Sequence, residues 1–332
     1  MNSQPLVGPW VRRFLMEYLV SERNLARNTQ TSYRDAMTLL LPFAARAAGT
    51  TVDRLAVEDL SATNVRRFLE HVEKTRHCSV ATRNQRLGTI HSFAKFIADR
   101  SPEHVPWCGE IRKVPFKKTT RPVIPYLDQP EIAAVLATPD RKTALGARDH
   151  ALLLFLYNTG ARASEAARLE IADLRWGSQA AVRLVGKGNK TRFCPLWPKT
   201  ANALKGLVRG RPADGPVFIN RRGAALTRFG IYGLVKRAVA KGSCSAESLT
   251  KKRISPHCIR HTSAVHLLRG GVDINTIRAW LGHVSLQTTN VYAEVDLEMK
   301  AKALKCMDTD GSGRVQRSWH KRPDLLEFLK RI

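Results

Sequence analysis

The chain opens on helical spacing. Leu6, Trp10, Phe14 and Tyr18 recur every fourth position, and Tyr33, Met37, Leu40 and Leu41 repeat the pattern farther on. Residues three and four apart share one face of an α-helix, so each set predicts an amphipathic helix with one buried stripe. Phe68, Leu69 and Val72 mark a third helix; Leu87, Ile90, Ala94 and Ile97 mark a fourth. Asn28-Thr29 is a suitable N-cap for the second, because a short polar side chain accepts from the unpaired N–H groups of a first turn. No strand-like alternation interrupts these stripes. The pattern predicts an all-helical unit of four helices over residues 1–110.

The pattern then breaks. From Pro106 to Pro130 stand five prolines (106, 115, 122, 125 and 130) and the basic pairs Arg112-Lys113 and Lys117-Lys118. Proline fixes φ and lacks an N–H, so this density predicts an extended linker, placed at 111–127. A second unit is expected over 128–307. There Ile132 to Leu136 and Leu152 to Tyr157 read as helix. Ala181 to Leu184 and Arg192 to Leu196 read as short strands around the turn Gly186-Lys187-Gly188-Asn189. Further helices are expected near 227–240, 257–269, 273–281 and 286–293. A tail, 308–332, breaks at Gly311-Ser312-Gly313 and ends in the apolar group Leu325, Leu326, Phe328 and Leu329. The fold class expected is mostly α with a small β-hairpin sheet (α+β).

Charge changes the picture. The chain has 55 Lys and Arg against 28 Asp and Glu, a net +27. Residues 1–120 carry 19 basic and 11 acidic side chains (net +8), and the remainder carries 36 and 17 (net +19). Both parts are positive, so the natural partner is a long polyanion held from two sides, and nucleic acid fits that description. No apolar run approaches the roughly 18 residues needed to span a bilayer, and no basic stretch followed by an apolar one stands at the start. The six cysteines are scattered without a CxxC pair, which argues against a disulfide framework or a zinc ribbon. A cytoplasmic protein without a membrane partner is expected.

Four short motifs carry candidate chemistry. Thr159-Gly160-Ala161-Arg162-Ala163-Ser164-Glu165 follows an apolar helix and sets Glu165 one turn beyond Arg162. Lys187 lies between glycines in the hairpin turn, where the backbone can approach a ligand closely. In His257-Cys258-Ile259-Arg260-His261, His257 and Arg260 share a helix face, and a proton-transfer group beside a guanidinium suits phosphodiester chemistry. Leu281-Gly282-His283 is followed nine residues on by Tyr292, whose phenol can attack phosphorus once deprotonated. Each alone has an ordinary explanation: a structural ion pair, a solvated loop lysine, a capping histidine, a core tyrosine. The string GKGNKT lacks phosphate-loop spacing, HCIRH lacks the glutamate of an HExxH metallohydrolase, and Asp308-Thr309-Asp310-Gly311 lacks the remaining ligands of a calcium loop.

Together, and in this order, the motifs resemble the tyrosine recombinase (phage integrase) family, which shows a TGxR-xSE box, a GKGxK hairpin, HxxRH, and LGH with a tyrosine nine residues later. The resemblance is strongest over about 130 residues of the second part and closest to the Xer-like branch. It extends loosely to the N-terminal helices, which look like the family's SAM-like core-binding domain. Cys258-Ile259 and Ala161 depart from the commoner residues without touching a catalytic position. The resemblance implies an integrase-type catalytic domain that cleaves and rejoins double-stranded DNA through a 3′-phosphotyrosyl link, held as a C-shaped clamp. Tyr292 would be the nucleophile, Arg162 and Arg260 would hold the phosphate, and His257 would move the tyrosine proton. Lys187 would protonate the leaving 5′-oxygen, His283 would donate a hydrogen bond, and Glu165 would support the arginines. It implies no cofactor, no metal and a homo-tetramer on DNA, with other recombinases or DNA-bending accessory proteins as candidate partners. A type IB topoisomerase-like strand transferase and an inactive DNA-binding regulator of the same fold are the alternatives.

Overall fold

A computed structural model describes residues 5–119 and 124–282; His283, Tyr292, the helix expected at 286–293 and the tail 308–332 lie outside the described residues. The first apolar stripe folds as α1 (Val7–Arg12), which continues as a wider π-type helix over Arg13–Glu22. After it come α2 (Arg27–Ala47), α3 (Ala62–Lys74), α4 (Val80–Ala98) and α5 (Val105–Arg112). Their stripes meet in one core that includes Phe14, Met37, Leu40, Phe68, Leu87 and Ile97. Phe14 sits among rings, with centroids 5.2 Å from Phe93 and 5.3 Å from Phe96.

Two details differ from expectation. Asn28 and Thr29 lie inside the first turn of α2, whose N-cap is Ala26 with no side-chain cap. The extended backbone of Ala26 sets that boundary, and its carbonyl already accepts from the N–H groups of Thr29 and Gln30. By contrast Ser61 and Ser79 cap α3 and α4, each accepting a backbone N–H at 3.2 Å. The second difference is α5, a fifth helix where prolines had suggested the start of a linker. Pro106 occupies its first turn, where a missing N–H costs nothing.

The chain divides into two compact units between Pro122 and Val123. In the second, α6 (Gln129–Ala137) and α7 (Ala144–Thr159) lead through the short α8 (Ala163–Ala167) to an antiparallel sheet. Its strands, β1 (Leu174–Arg175), β2 (Ala181–Val185) and β3 (Thr191–Pro195), run in the order β1-β2-β3, with Leu184 opposite Arg192 and Val182 opposite Cys194. Four helices follow: α9 (Pro198–Val208), α10 (Arg228–Gly242), α11 (Pro256–Arg269) and α12 (Ile274–Leu281). Helix α7 is buried along Ala151 to Thr159 and packs against both α9 and α11. The pattern omitted β1, too short to alternate, and α9, whose stripe of Ala201, Leu204 and Val208 starts behind Pro198. No described helix is long and apolar enough to cross a membrane.

Candidate active site

The site is built where α7 stops. Gly160 ends that helix in the left-handed region (φ +58°), and a Cβ there would lie 2.4 Å from Leu281 Cδ2. Only glycine fits such a backbone pressed on a neighbour. The chain then extends to Arg162, the N-cap of α8. Arg162 is anchored to Glu165 twice: its N–H donates to Oε2 at 2.9 Å and its Nη1 donates to Oε1 at 2.7 Å.

Glu165 is held from its other side by a residue the motifs did not single out. Arg192, on β3, donates through Nη2 to Oε2 at 2.7 Å and through Nη1 to Oε1 at 3.2 Å. Its Nε reaches the Trp280 carbonyl at 2.9 Å, tying the hairpin to the last turn of α12. The Glu165 side chain is 1% exposed. Burial works against its ionisation, but the hydrogen bond and charge of Arg192, joined by the N–H and guanidinium of Arg162, outweigh it and bring the carboxyl down to about 2. The sequence did hold a signal for Arg192. It shares inward parity with Cys194, opposite the buried Leu184, and an arginine at a core-facing strand position needs a buried partner.

Arg260 comes from the first turns of α11, which Ser255 caps. Its side chain is fully buried, donating through Nη1 to the Gly160 carbonyl and through Nη2 to the Leu281 carbonyl, both at 2.6 Å. One guanidinium thus joins the ends of α7 and α12. His257 stands one turn earlier and remains accessible. Partial desolvation, and then the positive charges of Arg260 and Arg162, lower its pKa, which favours the neutral ring. His261, on the inner side of α11, is buried, and burial followed by the charge of His257 brings it to about 4.

Arg162, His257 and Arg260 line one cavity of about 330 Å³, together with Arg228, Phe229 and Tyr232 of α10. Glu165 stands behind Arg162. The hairpin arrives beside it: the Gly186 N–H donates to the Lys190 carbonyl at 2.8 Å, and a Cβ on Gly186 would lie 3.3 Å from Glu165 Oε1. The turn Lys187–Asn189 follows at once, with Gly188 and Asn189 in the left-handed region (φ +72° and +59°). Gly282, at φ +64°, closes α12 against Arg192, and a Cβ there would stand 3.2 Å from Arg192 Cδ. His283 and Tyr292, expected to complete the set, lie outside the described residues. The arrangement offers guanidiniums for an anion and a neutral imidazole to take a proton. Among the described residues no cluster of three His, Cys, Asp or Glu is placed to hold a metal ion.

Comparison with known proteins agrees with this architecture. The model of the phage integrase family matches residues 125–299, and that of the phage integrase N-terminal SAM-like domain matches residues 11–101. The y4rC protein of Sinorhizobium fredii, provisionally named an integrase/recombinase, is 37% identical over 336 aligned positions, covering 100% of both chains. Tyrosine recombinase XerC of Pelobacter propionicus is 33% identical, with 89% of this chain and 93% of that protein covered. Among solved structures, the XerH site-specific recombinase bound to a palindromic difH substrate shares the fold (TM-score 0.66, 20% identity, 86% of this chain and 81% of that one). The Tn1549 transposon integrase in complex with a circular intermediate DNA does too (TM-score 0.66, 16% identity, 92% and 100%). With both family models matched in order and a relative aligned from end to end, the chain belongs to the phage integrase family of tyrosine recombinases.

Proposed function

We propose that this protein is a site-specific recombinase that cleaves and rejoins duplex DNA through a 3′-phosphotyrosyl link to Tyr292. The observation that carries this reading is the convergence of Arg162, His257 and Arg260 on one cavity, with Glu165 fixing Arg162 from behind. In the reaction the Tyr292 phenolate oxygen bonds to the scissile phosphorus while the bond from phosphorus to the 5′-oxygen breaks. The phosphodiester energy is kept in the aryl ester, so attack by a 5′-hydroxyl on that ester reseals a strand with no nucleotide consumed. Arg162 and Arg260 hold the non-bridging oxygens, where charge builds as phosphorus becomes five-coordinate. Neutral His257 accepts the phenol proton, and the lowered pKa of its ring keeps it ready to do so near neutrality. Lys187 protonates the departing 5′-oxygen, and His283 donates a further hydrogen bond to the phosphate.

The excess of Lys and Arg in both parts of the chain supports a grip on DNA from two sides, a C-shaped clamp, and exchange of two duplexes calls for four protomers and so a tetramer on DNA. The test uses nicked duplexes taken from the DNA that flanks the gene, on which cleavage traps the covalent adduct. The native chain should give a DNA-linked band on a denaturing gel, and Tyr292→Phe should bind the same duplexes without producing one. A band that survives in the Phe variant assigns the nucleophile elsewhere. A native chain that binds and never forms the adduct favours a DNA-binding regulator.

A further inference from the structure

The hairpin that carries Lys187 needs an anchor near its tip. Its inward-facing cross-strand pairs are Val182 with Cys194 and Leu184 with Arg192. Past the second pair, Val185 and Thr191 are exposed, and the turn Lys187–Asn189 follows. Leu184 and Arg192 are therefore the last cross-strand pair whose side chains reach the body of the domain. A hairpin tip beyond its last packed pair has little to stop it pivoting, because exposed positions bury few apolar contacts. Where the tip stands is thus set largely at Arg192, on the outer strand of the sheet.

Arg192 uses its three nitrogens in two directions. Nη1 and Nη2 donate to the two oxygens of Glu165, at 3.2 and 2.7 Å, and Nε donates to the Trp280 carbonyl at 2.9 Å. The Cys194 thiol donates to that same carbonyl at 3.5 Å, so two successive inward positions of β3 meet the last turn of α12. The next carbonyl along, that of Leu281, accepts from Arg260. One guanidinium thus sets the hairpin against the carboxylate that holds Arg162 and against the helix end that holds Arg260. Stability alone does not ask for this, since apolar side chains of similar volume often serve as well as a buried ion pair that must be stripped of water. What the planar fork adds is direction: it fixes Glu165 in two bonds and keeps Nε aimed at a different element. A lysine would bring the charge without the rigid fork.

We infer that Arg192 is a positioning residue, which holds Lys187 in register with Arg162 and Arg260 so that its proton reaches the departing 5′-oxygen. This inference rests on the recombinase reading above. The Arg192 side chain is 9% exposed and is not one of those lining the cavity of Arg162, His257 and Arg260, so it acts through others. The group that depends on it most is the acid. Arg162 keeps its own N–H bond to Glu165, and Arg260 is held by the Gly160 and Leu281 carbonyls. Lys187, by contrast, directly follows Gly186, where a Cβ would stand 3.3 Å from Glu165 Oε1 and 3.6 Å from Arg192 Nη1. A shift of that pair is passed straight to the turn, and reacting groups misplaced by about 1 Å lose on the order of 100-fold in rate.

The experiment measures cleavage by the full chain on nicked duplexes with either an ordinary 5′-oxygen or a 5′-thio leaving group. Arg192→Lys should bind duplex as the native chain does and cleave the 5′-oxygen substrate about 10- to 100-fold more slowly. Most of that loss should be recovered on the 5′-thio substrate, whose leaving group departs without a proton. Adding Arg192→Lys to Lys187→Ala should cost little beyond Lys187→Ala alone, because both changes act through the same proton. Gly186→Ala keeps the arginines and the carboxylate and presses the turn away from them, so it should show the same selectivity in milder form. It carries the test if the Arg192 variant does not fold, and native rates on both substrates then decide against the proposal. Full activity in Arg192→Lys overturns it, leaving Arg192 as a counter-charge for Glu165. Equal slowing on both substrates, or additive losses in the double variant, overturns it too, as the mark of a general structural role. Failure of the recombinase reading shows separately, as a native chain that binds these duplexes and forms no Tyr292 adduct on either.

Discussion

Replacing Glu165 by Gln should expose how much the arginine pair depends on one carboxylate. In the native chain Glu165 accepts from both Arg162 and Arg192 and is 1% exposed, and its carboxyl lies at about 2 against an ordinary value of 4.5. A shift of that size corresponds to roughly 3 kcal/mol of stabilisation at neutral pH. The geometry gives the same scale independently. Arg162 is 37% exposed, so water screens much of its share, whereas Arg192 is 9% exposed and would be left buried opposite a neutral amide. Breaking a buried pair costs about 3–5 kcal/mol, and the glutamine carbonyl recovers part of that as an acceptor, so about 3 kcal/mol is expected. For a unit of this size the loss lowers Tm by roughly 6–12 °C. The sign in acid follows from the depressed pKa: the stabilisation is complete above pH 4.5 and is lost as pH falls toward about 2. Denaturant melts at neutral pH and down an acid series should show Glu165→Gln weaker at pH 7 and less acid-sensitive than the native chain between those limits. A variant within about 0.5 kcal/mol of native at neutral pH, the range of ordinary surface changes, would refute the reasoning, as would an identical acid slope.

Two further outcomes test neighbouring parts of the site. Lys187→Ala should slow cleavage by about 100-fold or more on an ordinary 5′-oxygen leaving group and far less on a 5′-thio substrate, because a thiolate departs without a proton; equal damage on both would reduce Lys187 to phosphate binding. Gly160→Ala should destabilise by roughly 2–4 kcal/mol, from the left-handed backbone together with a Cβ driven against Leu281, and a melt unchanged from native would show that α12 yields there.

Much of the molecule follows from the sequence by itself. The stripes through Phe14, Met37, Phe68 and Leu87 are periodic enough to declare amphipathic helices, because an α-helix needs only one apolar face to be placed on a core. The hairpin about Gly186 and Gly188 was legible for an equally local reason: two short apolar stretches joined by residues that tolerate the left-handed region. Local chemistry misjudged what neighbours settle. Pro106 read as a breaker and serves as a helix start, and Asn28-Thr29 read as a cap and lies within the first turn. The motifs likewise named Arg162, Glu165, His257 and Arg260 without saying how they are held. The strand pattern marks Arg192 as core-facing, but its partners are fixed only by tertiary structure, since Glu165 and the Trp280 carbonyl are distant in the chain. The same holds for Arg260, whose guanidinium finds the Gly160 and Leu281 carbonyls only once α7, α11 and α12 have packed. A sequence specifies faces and turns through contacts a few residues long. Which buried charge meets which carbonyl is decided by packing, because an arginine taken from water is tolerated only where the whole fold supplies its partners.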